Sequence, residues 1–78
     1  MKTVNVSLNT VEKVKGFVNT VAPLDGEIDL CSDRYVVDAK SIMGIFSLDL
    51  SKPLLLTFQD TETAERIIPK LQAFIVPD

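Results

Sequence analysis

The sequence contains no histidine and only one cysteine among its 78 residues, and both shortages restrict its chemistry. Transition-metal sites are built from clusters of cysteine and histidine, so we expect no metal ion here, and nothing in the sequence indicates an organic cofactor. One cysteine cannot form an internal disulfide, so stability must come from the hydrophobic core. A reducing cytoplasm is therefore the expected location of the protein.

Long apolar runs and an excess of positive charge are also missing. No apolar stretch reaches the length of a signal peptide or a membrane span, so we expect no membrane insertion. The formal net charge is −3, which argues against direct binding to nucleic acid or to an anionic membrane. With 46% apolar and 24% charged residues, the chain is typical of a globular protein, and its length fits a single domain over residues 1–78.

Four segments carry the apolar–polar alternation of half-buried strands. In the first of these, Val4, Val6 and Leu8 share one face. We predict a tight hairpin that turns at Ser32-Asp33, with Tyr35 and Val37 on the apolar face of its second strand. The predicted strands run from Lys2 to Leu8, from Glu27 to Cys31, from Arg34 to Val37 and from Pro53 to Phe58.

Two longer segments have the apolar spacing of helices. In the first, Asn9 and Glu12 fit a capping box with Asn9 as the N-cap, and Pro23 follows the predicted end near Ala22. In the second, Asp60 or Thr61 is the expected N-cap, and Pro69 predicts a kink or break near residues 65–68. The predicted buried stripes are Val11, Val14, Phe17, Val18 and Val21 in the first helix and Ala64, Ile67, Ile68, Leu71 and Phe74 in the second.

With a short helix between the third and fourth strands, the order is β-α-β-β-α-β-α. Each strand has one apolar face, so a single antiparallel sheet covered on one side by helices accounts for the pattern, which is an α+β fold. Patterning alone does not set the order of the strands. A ferredoxin-like arrangement of the same elements is the alternative.

The short helix lies in the segment Ala39 to Leu48, where Ser41 has the position of an N-cap, and it is expected to end near Leu48. Ile42, Met43, Ile45 and Phe46 follow too densely for one buried stripe, so part of this apolar surface should face solvent. A serine at a helix start beside an exposed apolar patch suggests a contact site switched by phosphorylation. The simpler interpretation is that Ser41 only caps the helix.

The run Ala39-Lys40-Ser41-Ile42-Met43-Gly44, followed by Ser47-Leu48, resembles the regulatory-serine segment of HPr. HPr is the small phosphocarrier of the bacterial sugar phosphotransferase system. The resemblance implies a two-layer open-faced sandwich whose sheet has the order first, fourth, second, third strand. It also implies phosphorylation of the matching serine by an ATP-dependent kinase, after which the protein binds a transcriptional regulator in carbon catabolite repression. The partner-binding residues would then be Lys40, Ile42, Met43, Phe46 and Leu48, with Ser41 as the phosphorylation site.

This chain lacks the residues that carry the phosphoryl group in the HPr family. When Phe17-Val18-Asn19-Thr20 is aligned with the family's first helix, Thr10 takes the position of the phospho-acceptor histidine and Glu12 that of the nearby arginine. Phosphothreonine is a stable ester and a poor phosphoryl donor, and Glu12 would repel the phosphoryl group. Phosphotransfer through histidine is therefore excluded, and we expect no enzymatic role. Cys31 is interpreted as a small strand residue.

Two functions remain open. The first is an HPr-like regulatory or protein-binding module switched at Ser41, with a serine kinase and a transcriptional regulator, or other phosphotransferase-system proteins, as partners. The HPr family includes a histidine-less corepressor of this kind. The alternative is a constitutive interaction or decoy domain that binds the partners of HPr without being phosphorylated. Asp49 stands where the family commonly has a small neutral residue, which is a departure close to Ser41.

Overall fold

A computed structural model describes residues 2–76. Within that range the chain forms four strands, three α-helices and one 3-10 helix in the predicted order. These are β1 (Lys2–Val6), α1 (Val11–Val21), β2 (Ile28–Ser32), β3 (Tyr35–Asp38), α2 (Ile42–Phe46), β4 (Leu54–Phe58), α3 (Thr61–Ile67) and the 3-10 helix (Ile68–Leu71).

The four strands form one antiparallel sheet in the order β1-β4-β2-β3. The strand order implied by the resemblance is confirmed, and the ferredoxin-like alternative is not found. One row of paired residues across the four strands shows which side chains share a face of the sheet. Leu56 pairs with Val4 on one side and with Leu30 on the other, and Leu30 pairs with Val37. These side chains lie on the face that the helices cover.

The core lies between this face and the helices. Leu54, Leu56 and Phe58 of β4 are completely buried, as the alternation predicts, because β4 is central and lies beneath the helical layer. The opposite face of the sheet is open, and Leu55 of β4 is exposed there. The helical layer contributes Val14, Phe17, Val21, Ile45, Ala64, Ile67 and Leu71 to the core.

The predicted capping box at the start of α1 is wrong. The N-cap is Thr10, whose backbone is extended and whose hydroxyl oxygen accepts the amide of Lys13 at 3.1 Å. Lys13 and not Glu12 is therefore in the third helical position. Asn9 and Thr10 are both good capping residues, and the sequence pattern does not choose between them. Val11 becomes the first helical residue and is 54% exposed, so its assignment to the buried stripe is also wrong.

The β2–β3 hairpin is displaced by one residue from its predicted position. Ser32 is the last residue of β2, and the loop consists of Asp33 and Arg34. Asp33 has a φ of +51°, a left-handed conformation that aspartate tolerates better than most residues. Tyr35 lies on the same face as Val37, as predicted, but it is 66% exposed because it begins the outer strand of the sheet.

The last helix changes type near Pro69, as predicted. Asp60 is its N-cap, α3 ends at Ile67, and the 3-10 helix has Pro69 in its first turn, where the missing amide is tolerated. The chain then returns to β1, where Ser7 donates its amide to the carbonyl of Phe74 at 2.8 Å. The Phe74 ring packs edge-on against Phe17, with 5.9 Å between the ring centroids.

Candidate functional site

Ser41 is the N-cap of α2, as predicted. Its backbone is extended, and its hydroxyl oxygen accepts the amide of Gly44 at 3.1 Å. The Ser41 amide donates to the carbonyl of Asp38 at 3.0 Å, so the cap follows directly from the end of β3. The helix is shorter than predicted: it ends at Phe46, because the amides of Ser47 and Leu48 bond three residues back instead of four.

Gly44 allows this segment to lie close to the sheet. A Cβ atom at Gly44 would be 3.2 Å from the hydroxyl oxygen of Ser41 and 3.2 Å from the Cβ of Val37. Both separations are shorter than an ordinary carbon contact. A side chain at this position would therefore press against both the capping serine and β3.

The outer side of α2 is apolar and exposed. Met43 is 78% exposed and Phe46 is 42% exposed, whereas Ile45 is completely buried and Ile42 is half-buried. Met43 and Phe46 are three residues apart and therefore lie side by side on the helix surface. The prediction that part of this apolar surface faces solvent is confirmed, and we call Met43 and Phe46 the α2 patch.

Two residues predicted to bind a partner have other roles in this structure. Leu48 is only 8% exposed and belongs to the core, so it is not accessible to a partner in this conformation. The ammonium group of Lys40 donates to the carbonyl of Gly26 at 3.3 Å and also to the carbonyl of Leu24. Lys40 thus links the start of α2 to the connection between α1 and β2, a contact that no local pattern in the sequence indicates.

Two carboxylates flank this segment. One oxygen of Asp38 accepts the amide of Lys40 at 2.8 Å, so this carboxylate, three residues before Ser41, bonds to the residue that precedes the serine. After α2, Asp49 accepts the hydroxyl of Ser51 at 2.6 Å and its amide at 3.1 Å. These two hydrogen bonds hold the pKa of Asp49 below its usual range, and the bond from the Ser51 hydroxyl has the larger effect.

The two positions that match the phosphocarrier site of the HPr family lie at the start of α1. Thr10 is exposed and uses its hydroxyl oxygen as the cap of α1, and Glu12 is exposed in the first turn. Cys31 is half-buried on the open face of the sheet, paired with Leu55 on one side and Val36 on the other. Such neighbours fit its interpretation as a strand residue.

Some features are absent from the part of the chain that the structure describes. No helix in residues 2–76 is long and apolar enough to cross a membrane. Over the same residues, no pocket is found and no group of three or more acidic, cysteine or histidine side chains could hold a metal ion.

Comparison with known proteins identifies the architecture. No family model and no curated protein matches the chain. Among solved structures, HPr-C-His from Thermoanaerobacter tengcongensis matches with a TM-score of 0.74 and 25% identity, covering 94% of this chain and 93% of its own. The phosphocarrier protein HPr from Bacillus anthracis strain Ames matches with a TM-score of 0.70 and 28% identity, covering 96% of this chain and 94% of its own.

The fold and the capped serine segment define a small α+β protein of the open-faced sandwich type. More particularly, the chain is similar to HPr phosphocarrier proteins and shares their fold over nearly its whole length. It has this fold without any histidine.

Proposed function

We propose that this protein is a regulatory, protein-binding module of the HPr type, switched by phosphorylation of Ser41 and acting in the cytoplasm. The observation that supports the proposal is the position of Ser41 at the start of α2, the same short helix that carries the α2 patch. A kinase would modify the hydroxyl, and a transcriptional regulator or a phosphotransferase-system protein would then bind the modified surface.

Phosphorylation would change the charge of this surface strongly. A phosphoserine carries about −1.5 to −2 charges at neutral pH and three acceptor oxygens. The amide of Gly44, which now bonds to the Ser41 hydroxyl, lies within reach of these oxygens. The carboxylate of Asp38 opposes the phosphate, so an arginine of the partner would complete the recognition while Met43 and Phe46 provide apolar contact.

The mass of the intact protein tests this proposal. The protein is purified from its own cells during growth on a rapidly used sugar. We expect an added phosphate that survives acid and maps to Ser41 by peptide fragmentation. Ser47, an exposed serine just after α2, is the internal control and should remain unmodified. Absence of phosphate at Ser41 under every growth condition would falsify the switch.

We further propose that the protein has no phosphocarrier or other enzymatic activity. The absence of histidine removes the phosphoramidate chemistry of the HPr family, and the Thr10 hydroxyl in its place would give a stable ester. Incubation with phosphoenolpyruvate and enzyme I should leave the protein without labile phosphate, while a histidine-containing HPr in the same assay becomes labelled. Labile phosphate on this chain would contradict the proposal.

The second candidate is a constitutive interaction or decoy domain. It is favoured by the exposure of Met43 and Phe46 while Ser41 is unmodified, because this patch can bind a partner without phosphate. Binding to an HPr-binding regulator from the same cells is measured for the wild type, Ser41→Asp and the control Ser47→Asp. A switch requires that only Ser41→Asp changes affinity. A constitutive patch requires that neither aspartate variant changes the affinity for the regulator and that Met43→Ser abolishes binding.

A further inference from the structure

The two outer strands of the sheet differ in what lies beside them. At β1, residues that follow the 3-10 helix cover the outer edge: Ile75 forms a bridge with Val6, and the amide of Val76 donates to the carbonyl of Asn5 at 3.0 Å. At β3, by contrast, no strand of residues 2–76 pairs with the outer edge. This open edge is the feature from which the inference starts.

The hydrogen bonds of the hairpin show which groups β3 directs outward. The amide of Ala39 donates to the carbonyl of Ile28 at 2.9 Å, so Ala39 bonds toward β2. Bonding direction alternates along an antiparallel strand, so Val37 and Tyr35 also bond toward β2. The amide and carbonyl of Val36 therefore point away from the sheet. Its side chain is 63% exposed and that of Tyr35 is 66% exposed.

We propose that β3 pairs with β3 of a second copy of this chain, antiparallel and about a two-fold axis at Val36. In this register, Val36 lies opposite its own counterpart, and the outward amide and carbonyl of each exchange hydrogen bonds. Tyr35 lies opposite Val37 of the other copy. Arg34 lies opposite Asp38 of the other copy, once on each side of the axis.

Charge complementarity selects this partner and this register. Arg34 and Asp38 are both exposed, carry opposite charges and stand two residues before and after Val36. A two-fold axis at Val36 consequently places each arginine opposite an aspartate of the other copy and places no two like charges opposite each other. A shift of the register by two residues toward Asp38 would place that aspartate against Val36 and leave Arg34 without its acidic counterpart. Opposite charges around a symmetric apolar centre make the edge complementary to itself.

The pairing would join two sheets into one of eight strands. On the open face, the row formed by Leu55, Cys31 and Val36 would continue through the axis into the same row of the other copy. Apolar side chains that are exposed on one copy, among them Val36 and Tyr35, would gain neighbours. Because β3 has four residues, the contact is small and its population should depend on protein concentration.

A disulfide placed on the axis tests the register. With Cys31→Ser as the background, Val36→Cys puts two thiols opposite each other in a hydrogen-bonded pair, where the Cα atoms are about 5.5 Å apart and a disulfide fits. Tyr35→Cys on the same strand faces Val37 and not its own counterpart. Val11→Cys, an exposed position on α1, controls for random collision. We expect mild oxidation to link Val36→Cys at least about tenfold faster than either control. Equal rates for all three would overturn the proposal.

Reversal of the charge tests the same contact in the protein with its own cysteine. Arg34→Asp places two aspartates against each other on both sides of the axis, whereas Lys52→Asp makes the same charge change in the connection between α2 and β4. In sedimentation equilibrium we expect the wild type and Lys52→Asp to self-associate equally, and Arg34→Asp to do so about tenfold more weakly. Adding Asp38→Arg to Arg34→Asp should restore association. Circular dichroism checks that each variant is folded. A wild type that stays monomeric at millimolar concentration overturns the proposal and leaves the edge for a different partner.

Discussion

The hydroxyl oxygen of Ser41 and the backbone amide of Gly44 are 3.1 Å apart and form the hydrogen bond that begins α2. A Cβ atom on the same glycine, three residues after the serine, would make tight contacts of 3.2 Å with the Ser41 hydroxyl oxygen and the Val37 Cβ. The proposed phosphorylation site is therefore also a structural element of the fold. A kinase would replace a working helix cap with a larger and charged one.

Loss of the Ser41 hydroxyl should weaken the fold. We expect Ser41→Ala to lower the free energy of unfolding by about 1 kcal/mol, because the amide of Gly44 loses its acceptor. Ser47→Ala removes an exposed hydroxyl at the other end of α2 and should change stability by less than about 0.5 kcal/mol. Urea unfolding followed by circular dichroism measures both. Equal losses in the two variants would show that the cap does not contribute.

The two glycines inside helices should respond differently to alanine. A Cβ atom at Gly16 would make ordinary contact with the ring of Phe74 at 3.4 Å, so Gly16→Ala should raise the free energy of unfolding by about 0.5–1 kcal/mol through helix propensity. Gly44→Ala gains the same propensity but crowds Ser41 and Val37. We expect no stabilisation at Gly44, and thermal unfolding of the two variants side by side gives the comparison. A gain at Gly44 that matched the gain at Gly16 would contradict this account of the α2–β3 contact.

The valines of α1 should differ according to their burial. Val14 is completely buried, and Val14→Ala removes about two methylene equivalents and leaves a cavity, so we expect a loss of roughly 2 kcal/mol. Val11 is 54% exposed, and Val11→Ala should cost less than about 0.5 kcal/mol. The two substitutions delete the same atoms from one helix, so guanidinium unfolding isolates the effect of burial. Similar costs would mean that α1 is rotated from the orientation described.

Stability should fall in acid partly through Asp60. Its carboxylate accepts the hydroxyl of Thr63 at 2.8 Å and the amide of Glu62 at 3.0 Å. Both bonds lower the pKa of Asp60 from the usual 3.8, and the bond from the Thr63 hydroxyl has the larger effect. A lowered folded-state pKa stabilises the protein above pH 3.8, and that contribution is lost as the pH falls through the folded-state value.

Asp60→Asn keeps a capping side chain but removes the titration at that position. The difference in stability between wild type and Asp60→Asn should therefore be constant near neutral pH and shrink below pH 3.8. Denaturant unfolding at a series of pH values measures it. Asp25→Asn, at an exposed position between α1 and β2, controls for the change in net charge. A difference that did not vary with pH would remove Asp60 from the acid response.

Local signals in the sequence predicted much of the fold. The Ser41 cap, the break at Pro69 and the buried face of β4 each depend on residues within a few positions of one another, so pattern and propensity were sufficient. The N-cap of α1 was placed one residue too early because Asn9 and Thr10 are both suitable capping residues. The order of the strands came from the resemblance to HPr, since alternation carries no information about which strands are neighbours.

The candidate site was predicted less completely because part of it depends on contacts between distant segments. The ammonium of Lys40 bonds to carbonyls 16 and 14 residues away in the connection between α1 and β2, and any exposed lysine has the same local pattern. Leu48 follows a helix that ends two residues earlier than expected and turns into the core. The density of apolar residues from Ile42 to Phe46, a local property, predicted that part of this surface faces solvent, but not which of its side chains do.

The central position of β4 also has a consequence for synthesis of the chain on the ribosome. Val4 pairs with Leu56, 52 positions later, so β1 has no neighbour in the sheet until β4 has been made. At typical translation speeds this interval is on the order of 5 s. During it the chain can form the β2–β3 hairpin, which is local but barely stable alone. The backbone amides and carbonyls of β1 thus have no strand partner for several seconds in every newly made molecule, and the sheet can close only after β4 has been synthesised.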